Sequence, residues 1–473
     1  MNDRRNLWAL VAVALATFMT YLDNNIINVA IPVIEKDLHL TTAGMEWIVS
    51  AYILTFAGLM LVGGRLADLY GRRRLFLIGL AVFTIASFAA GLSPDVGTLI
   101  ASRAILGVGA ALLTPTTLAI ISATFTNTRD RNVAVGIWGA VGALALAAGP
   151  LLGGVLSEHV SWEWIFFINV PLGIITAALA VWAVDESRDP ITRRLDLWGL
   201  LTSTVALSTL TYALIEGSSR GWTSSTILTS FAIAAVSGAA FAAIERSVED
   251  PMVDLGLFKD RVFSGAIGAL MLWAFGLFGI YFFTSLYLQG VLGFSPTKAG
   301  LFFVPMALCM ATAAATSEGI ARRFGAHRSV SFGMGLMGLA IASIALFGKD
   351  ATVSQLMPSF LAIGVGGGLT IPMTATVLSV MPQDQAGVAS GVFNTLRELA
   401  GLLGITVIGV ILTSRQTASI KAGHTPVDAF LSGYQLGLLV AGALVVAGAV
   451  ASWVALRKAE SEPIQNVDVV LAA

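Results

Sequence analysis

Apolar residues in this chain come in runs of about twenty, the number a helix needs to cross a hydrocarbon layer roughly 30 Å thick. About fourteen such runs can be read between polar breaks. Backbone groups placed in lipid must be satisfied internally, which leaves helices or a closed barrel. A barrel would show segments of roughly ten alternating residues, a pattern this sequence lacks. The chain therefore reads as an all-α integral membrane protein. Its charge agrees: 12% of residues are charged and 56% hydrophobic, whereas an ordinary soluble domain is about 25% charged.

The predicted helices cover 7–31, 45–68, 74–93, 97–123, 132–157, 164–184, 195–216, 225–245, 262–290, 298–321, 327–347, 353–380, 386–413 and 433–456. Met1 to Arg5 and the apolar stretch after them look like a signal peptide, but that stretch runs through Asp23 to Ile31 without a small-residue cleavage site, so it is assigned as the first spanning helix. Cytoplasmic loops collect Lys and Arg. Placing both termini inside puts Arg4, Arg5, Arg72, Arg73, Arg74, Arg193, Arg194, Arg322, Arg323, Arg457 and Lys458 on the inner side, and gives that side a roughly threefold excess of cations. The expectation is an even helix count with both termini cytoplasmic.

An internal repeat explains the count. GVGAALLTPTT at Gly107–Thr117 recurs as GVGGGLTIPMT at Gly364–Thr374, VAVG at Val133–Gly136 as VASG at Val388–Gly391, and Gly71 as Gly325, all at an offset of about 255 residues. Helices 1 to 6 then correspond to helices 9 to 14, and helices 7 and 8 are an insert. The expected domains are an N-terminal six-helix half (1–190), an inserted helix pair (191–250) and a C-terminal six-helix half (251–473). Paired halves of this kind build a substrate site near the bilayer midplane and rock around it.

Other chemistries find little support. The net charge of -1 and scattered cations do not suggest nucleic-acid binding. Cys309 is the one cysteine, and His39, His159, His327 and His424 lie between helices, so neither a disulfide nor a metal site is expected. There is no HExxH and no GxxxxGK[ST] motif, and the glycines at 364–368 sit inside a helix. A membrane-embedded enzyme is the remote alternative, and direct use of a nucleotide is not expected.

Several motifs carry a family resemblance. Gly64-Arg65-Leu66-Ala67-Asp68-Leu69-Tyr70-Gly71-Arg72-Arg73-Arg74 joins helices 2 and 3. Arg103 precedes Gly107-Val108-Gly109-Ala110-Ala111 in helix 4, with Leu106 where the pattern has glutamine. Helix 5 holds Gly149-Pro150-Leu151-Leu152-Gly153-Gly154. Helix 1 holds Leu22-Asp23-Asn24-Asn25-Ile26-Ile27-Asn28-Val29-Ala30-Ile31-Pro32, and Trp162-Glu163-Trp164-Ile165-Phe166-Phe167-Ile168-Asn169-Val170-Pro171 follows helix 5. With these motifs the chain resembles the major facilitator superfamily, in particular its fourteen-helix drug:proton antiporter branch of multidrug and quaternary-ammonium exporters.

That resemblance implies a major facilitator fold (6 + 2 + 6) in the plasma (inner) membrane. It also implies proton-coupled efflux of small lipophilic or cationic drugs by alternating access, with no cofactor beyond the proton gradient. An exporter dedicated to one host metabolite or antibiotic is the alternative. Gly64, Asp68, Gly71 and Arg72 would form a conformational lock; the second-half copy has Arg322 where Asp68 stands. Gly149, Pro150, Gly153 and Gly154 match the antiporter motif, and Arg103 the arginine that tunes coupling.

A carboxylate inside a membrane helix is expensive unless protonated, hydrated or paired, so Asp23 is the leading candidate for the proton and substrate charge. A structural Asp bonded to a neighbouring helix is the other reading. Asn24 and Asn28 lie one turn apart near it. Glu398 is the second candidate, beside Arg397. Adjacent helical residues point about 100° apart, so these two are not expected to be each other's main partner. Glu46, Glu216 and Glu318 lie near predicted helix ends and read as solvated. Trp138, Trp273, Phe278, Tyr281, Phe282, Phe283 and Met373 are candidates to line a cavity for flat cations, although most are expected to face lipid or packing neighbours.

Overall fold

A computed structural model describes residues 4–188, 196–248, 251–374 and 386–461. Arg193, Arg194, the last predicted turns of helix 12 (375–380), and the side chains of Val388 and Lys458 lie outside the described residues. Among the described residues, fourteen long helices follow one another: α1 (Arg4–Leu38), α2 (Thr42–Tyr70), α3 (Arg72–Gly91), α4 (Val96–Thr124), α5 (Thr128–His159), α6 (Trp164–Ala183), α7 (Leu197–Arg220), α8 (Ser225–Ser247), α9 (Arg261–Leu286), α10 (Pro296–Phe324), α11 (Ala326–Ile344), α12 (Val353–Gly368), α13 (Ala386–Lys421) and α14 (Pro426–Ser461). No strand occurs among the described residues.

Thirteen of the helices are, by length and composition, long and apolar enough to cross a membrane. The fourteenth, α11, has 19 residues but opens on Ala326-His327-Arg328-Ser329. Large apolar side chains such as Ile85, Ile174, Val236, Leu339 and Val450 are exposed, as lipid-facing surfaces require. Several helices outrun their apolar stretch. α1 has 35 residues and continues through Pro32 to Leu38, because hydropathy detects only the hydrocarbon part, whereas backbone hydrogen bonding carries the helix on into the interface.

Local signals set the breaks. Thr41 and Asp95 accept from the amides of Gly44 and Thr98 and so cap α2 and α4, while Thr352 and Gln355 form a capping box on α12. α6 is interrupted at Ile168, where Pro171 has no amide to continue the ladder. The last turn of α9 widens into a π-helix at Tyr287–Val291.

The chain divides into two compact units. The first contains 1–252, 278–304 and 405–437, the second 253–277, 305–404 and 438–473. In the first unit, a Cβ on Gly107 would strike Tyr52 and Thr55 of α2, and one on Gly109 would strike Phe83 of α3. Gly149 and Gly153 of α5 lie in the same way against Asn25 and Ile26 of α1. In the second unit, Gly364 lies against Met306 of α10, Gly366 against Gly333 and Met337 of α11, and Gly404 of α13 against Phe275 of α9. The glycines of α4 and α12, and of α5 and α13, thus seat corresponding helices at corresponding positions. Small residues of this kind let helix backbones approach closely without a side chain between them.

Candidate functional site

Asp23 stands midway along α1 with both neighbours on its own helix turned inward: Asn25 donates to the carbonyl of Tyr21 at 2.7 Å, and Asn28 to that of Asn24 at 3.4 Å. These amides bond to the backbone of their own helix and are not among the hydrogen-bond partners of Asp23. Partners come instead from elsewhere in the first unit. Arg103 of α4 donates through Nη1 to Asp23 Oδ2, and both side chains are 0% exposed. A buried ion pair needs its remaining polar atoms satisfied. Arg103 Nε donates to the carbonyl of Ile48 on α2 at 3.0 Å, and the guanidinium lies 4.4 Å from the centroid of the Tyr52 ring, within cation–π range. Its other terminal nitrogen, Nη2, finds no hydrogen-bond partner among the described residues.

The second oxygen of Asp23 accepts from Asn169 Nδ2 at 3.4 Å, and the same amide reaches Ser87 on α3 at 3.4 Å. Five helices therefore converge on one charge pair: α1, α2, α3, α4 and α6. The sequence singled out Asp23 and Arg103 separately. It quoted Asn169 only as a motif letter and assigned nothing to Tyr52. The break at Ile168 is the signal that would have pointed to Asn169, because it starts the second piece of α6 facing the pair.

At the α2–α3 junction, Arg72 donates to Asp68 at 2.9 and 3.1 Å, one helical turn away. Gly71 takes φ +110, a conformation side chains avoid. A Cβ there would also meet Glu186, whose carboxylate accepts from the amides of Arg73 and Arg74 at 3.1 Å each and so closes the start of α3. Arg65 donates to the carbonyl of Pro251, and Gly64 lies against Pro115 of α4. Asp68 and Arg72 thus meet each other, and Glu186, which the sequence did not flag, organises the loop.

In α5, Gly154 lies against the backbone of Pro296 and Thr297 in α10, and Gly300 of α10 against the backbone of Pro150. The four residues of this motif therefore face α1 on one side and α10 on the other.

In the second unit, Arg397 donates to Glu398 Oε1 at 2.7 and 3.2 Å. Adjacent residues of the helix thus do bond, because the arginine side chain is long enough to curl along the helix surface; Arg397 also has a further interaction. The Glu398 side chain is 3% exposed, and its Oε2 has no hydrogen-bond partner among the described residues. Glu318 is exposed as expected, Glu216 is mostly buried, and Glu46 is fully buried, against the solvated reading. Of the aromatic set, Tyr281 stacks on Phe303 at 5.0 Å, Phe282 meets Phe283 edge-on at 4.8 Å, and Trp138 donates to Thr117 at 3.0 Å, so these rings are spent on packing.

Similarity to known proteins agrees with this picture. Residues 13–405 match the Major Facilitator Superfamily. The chain is 34% identical over 420 residues to the multidrug resistance protein Stp of Mycobacterium tuberculosis, covering 89% of this chain and 78% of that protein. It is 33% identical over 464 residues to the puromycin resistance protein pur8 of Streptomyces alboniger, covering 96% and 92%. The fold superposes with a TM-score of 0.70 on a crystal structure of a bacterial homologue of the human lysosomal transporter Spinster, at 16% identity over 98% of this chain and 99% of that one. With thirteen helices long and apolar enough to cross a membrane among the described residues, a family match over 13–405 and relatives matched over most of its length, the chain belongs to the Major Facilitator Superfamily.

Proposed function

We propose that this protein exports small drugs or antibiotics across a bacterial inner membrane, in exchange for protons and by alternating access between its two halves (1–190 and 251–473), with helices 191–250 as an insert and both termini cytoplasmic. The relatives named for multidrug and puromycin resistance support export of a drug-like small molecule. The observation that carries proton coupling is the Asp23–Arg103 pair, a buried carboxylate and its one cation in the wall of the first unit. Protonating Asp23 would dissolve the pair and free Arg103, loosening the tie between α1 and α4. Because Asp23 is fully buried and engaged, its proton acts on helix packing, while the drug is recognised elsewhere along the pathway. Glu398, with one carboxylate oxygen unengaged among the described residues, is the second candidate proton carrier. No cofactor is needed, and no reaction on the substrate.

The test uses proteoliposomes with an imposed pH gradient and ethidium as the transported cation, comparing wild type, Asp23→Asn and Glu398→Gln. Gradient-driven ethidium movement is expected in wild type and is expected to vanish in Asp23→Asn. Equal rates in both would remove Asp23 as the coupling site. The relative named for puromycin alone favours one further reading, an exporter dedicated to a single antibiotic. Failure of wild type to move any lipophilic cation would select it.

A further inference from the structure

Glu46 sits in the second turn of α2 and is 2% exposed. Its carboxyl lies flat against Gly409 of α13: a Cβ on that glycine would stand 2.5 Å from Glu46 Cδ and 2.8 Å from Oε2. The absence of a side chain at Gly409 is what makes room for it. No hydrogen bond or ion pair to the carboxyl is found among the described residues, and its chain neighbour Trp47 reaches another carboxylate, Glu216 of α7. Glu216 is itself engaged, accepting from Trp47 at 3.1 Å and pairing with Arg220 at 3.2 Å. One turn beyond Glu46, the hydroxyl of Ser50 is also buried without a hydrogen-bond partner among the described residues. An ionised carboxylate left alone in such a place would be strongly unfavourable.

Two features place Glu46 close to the outer end. Glu46 lies near the start of α2, at the opposite end of that helix from the Arg72–Arg74 turn of α3, on the side the charge distribution places outside. A cavity of about 250 Å³ opens at the same end, lined among others by Met45, Glu35, Lys36, Gln289, Leu412 and Phe430. Met45 is next to Glu46 in the chain, and Leu412 lies one turn from Gly409.

We propose that Glu46 is a proton-binding site that reads external pH: it carries a proton while α2 and α13 are packed at Gly409 and gives it to external water when they part. Low external pH thereby favours closure of the outer end. This proton is taken from and returned to the same side, so it is additional to the one exchanged for substrate. The inference rests on the alternating-access reading above.

The experiment uses right-side-out vesicles, a Cys309→Ser background and Leu412→Cys as reporter, labelled with a membrane-impermeant maleimide from about pH 5 to about pH 8 with rates normalised to a free thiol. Labelling is expected to rise with pH, by at most about tenfold per unit, the limit for one proton. In Glu46→Gln, which stays neutral, it should be low and flat. The same pH slope in Glu46→Gln as in its parent would overturn the proposal. Should that variant fail to reach the membrane, Gly409→Ala serves, since its methyl group displaces the Glu46 carboxyl. It should label faster than its parent at the lowest pH, and an unchanged rate there would equally overturn the proposal. Ethidium export by the parent is followed in parallel, so that loss of export with the pH slope intact would count against the exporter reading and not against Glu46.

Discussion

Arg103 and Asp23 neutralise each other with both side chains fully buried, and the guanidinium is held in addition by the carbonyl of Ile48 and the ring of Tyr52. Removing one partner of such a pair costs about 3–5 kcal/mol, because the other charge is left uncompensated. Arg103→Ala and Asp23→Asn should each lower the thermal unfolding temperature in detergent markedly. The double variant should lose less than the sum of the two. Strict additivity would show that the pair is not energetically coupled.

Asn169 donates to Asp23 and Ser87 over long hydrogen bonds of 3.4 Å. Asn169→Ala should therefore cost only about 1 kcal/mol of stability. Its effect on gradient-driven dye export, normalised to protein amount, should be larger than that small loss predicts, because it releases one oxygen of Asp23. Unchanged export would make Asn169 a packing residue only.

The glycines of α5 are not equivalent. Gly149 faces Asn25 and Gly154 faces Pro296 with no room for a methyl group, whereas a Cβ on Gly136 or Gly139 would meet nothing within 4 Å. Gly149→Ala and Gly154→Ala should each destabilise by about 1–3 kcal/mol through overpacking. Gly136→Ala and Gly139→Ala should be neutral or stabilising by up to about 1 kcal/mol, from helix propensity. Thermal unfolding of the four variants side by side decides it.

Glu186 accepts from the first amides of α3, beside the strained Gly71. Glu186→Ala should cost about 1 kcal/mol, as loss of a helix cap does. Proteolysis at the Arg72–Arg74 loop should accelerate accordingly. Equal cleavage rates in variant and wild type would mean the loop is held by other contacts.

Much of this architecture could be read from the chain, because a membrane helix advertises itself by the length of its apolar run. The glycine echoes at about 255 residues also paired helices 1 to 6 with helices 9 to 14, and the repeated glycines mark equivalent backbone approaches in both. What escaped reading was long-range pairing of polar groups. Asp23 and Arg103 were both visible as intramembrane charges, but no spacing along the sequence says that α1 and α4 face each other at that depth. Glu46 was misjudged because nearness to a helix end suggests solvent, while its burial comes from Gly409, a residue far away in sequence that offers a flat surface. The Arg397–Glu398 hydrogen bond lies outside what helix geometry describes, which is where Cβ atoms point, because an arginine side chain is long enough to curl away from that direction.

The close approaches at Gly107, Gly109, Gly149, Gly364, Gly366 and Gly404 share one property: main chain or neighbouring side-chain bases meet an α-carbon that presents only hydrogen. The positions at which these helices meet are therefore ones that carry no side chain of their own. A lineage carrying this frame can vary side chains elsewhere on these helices without renegotiating how the backbones touch.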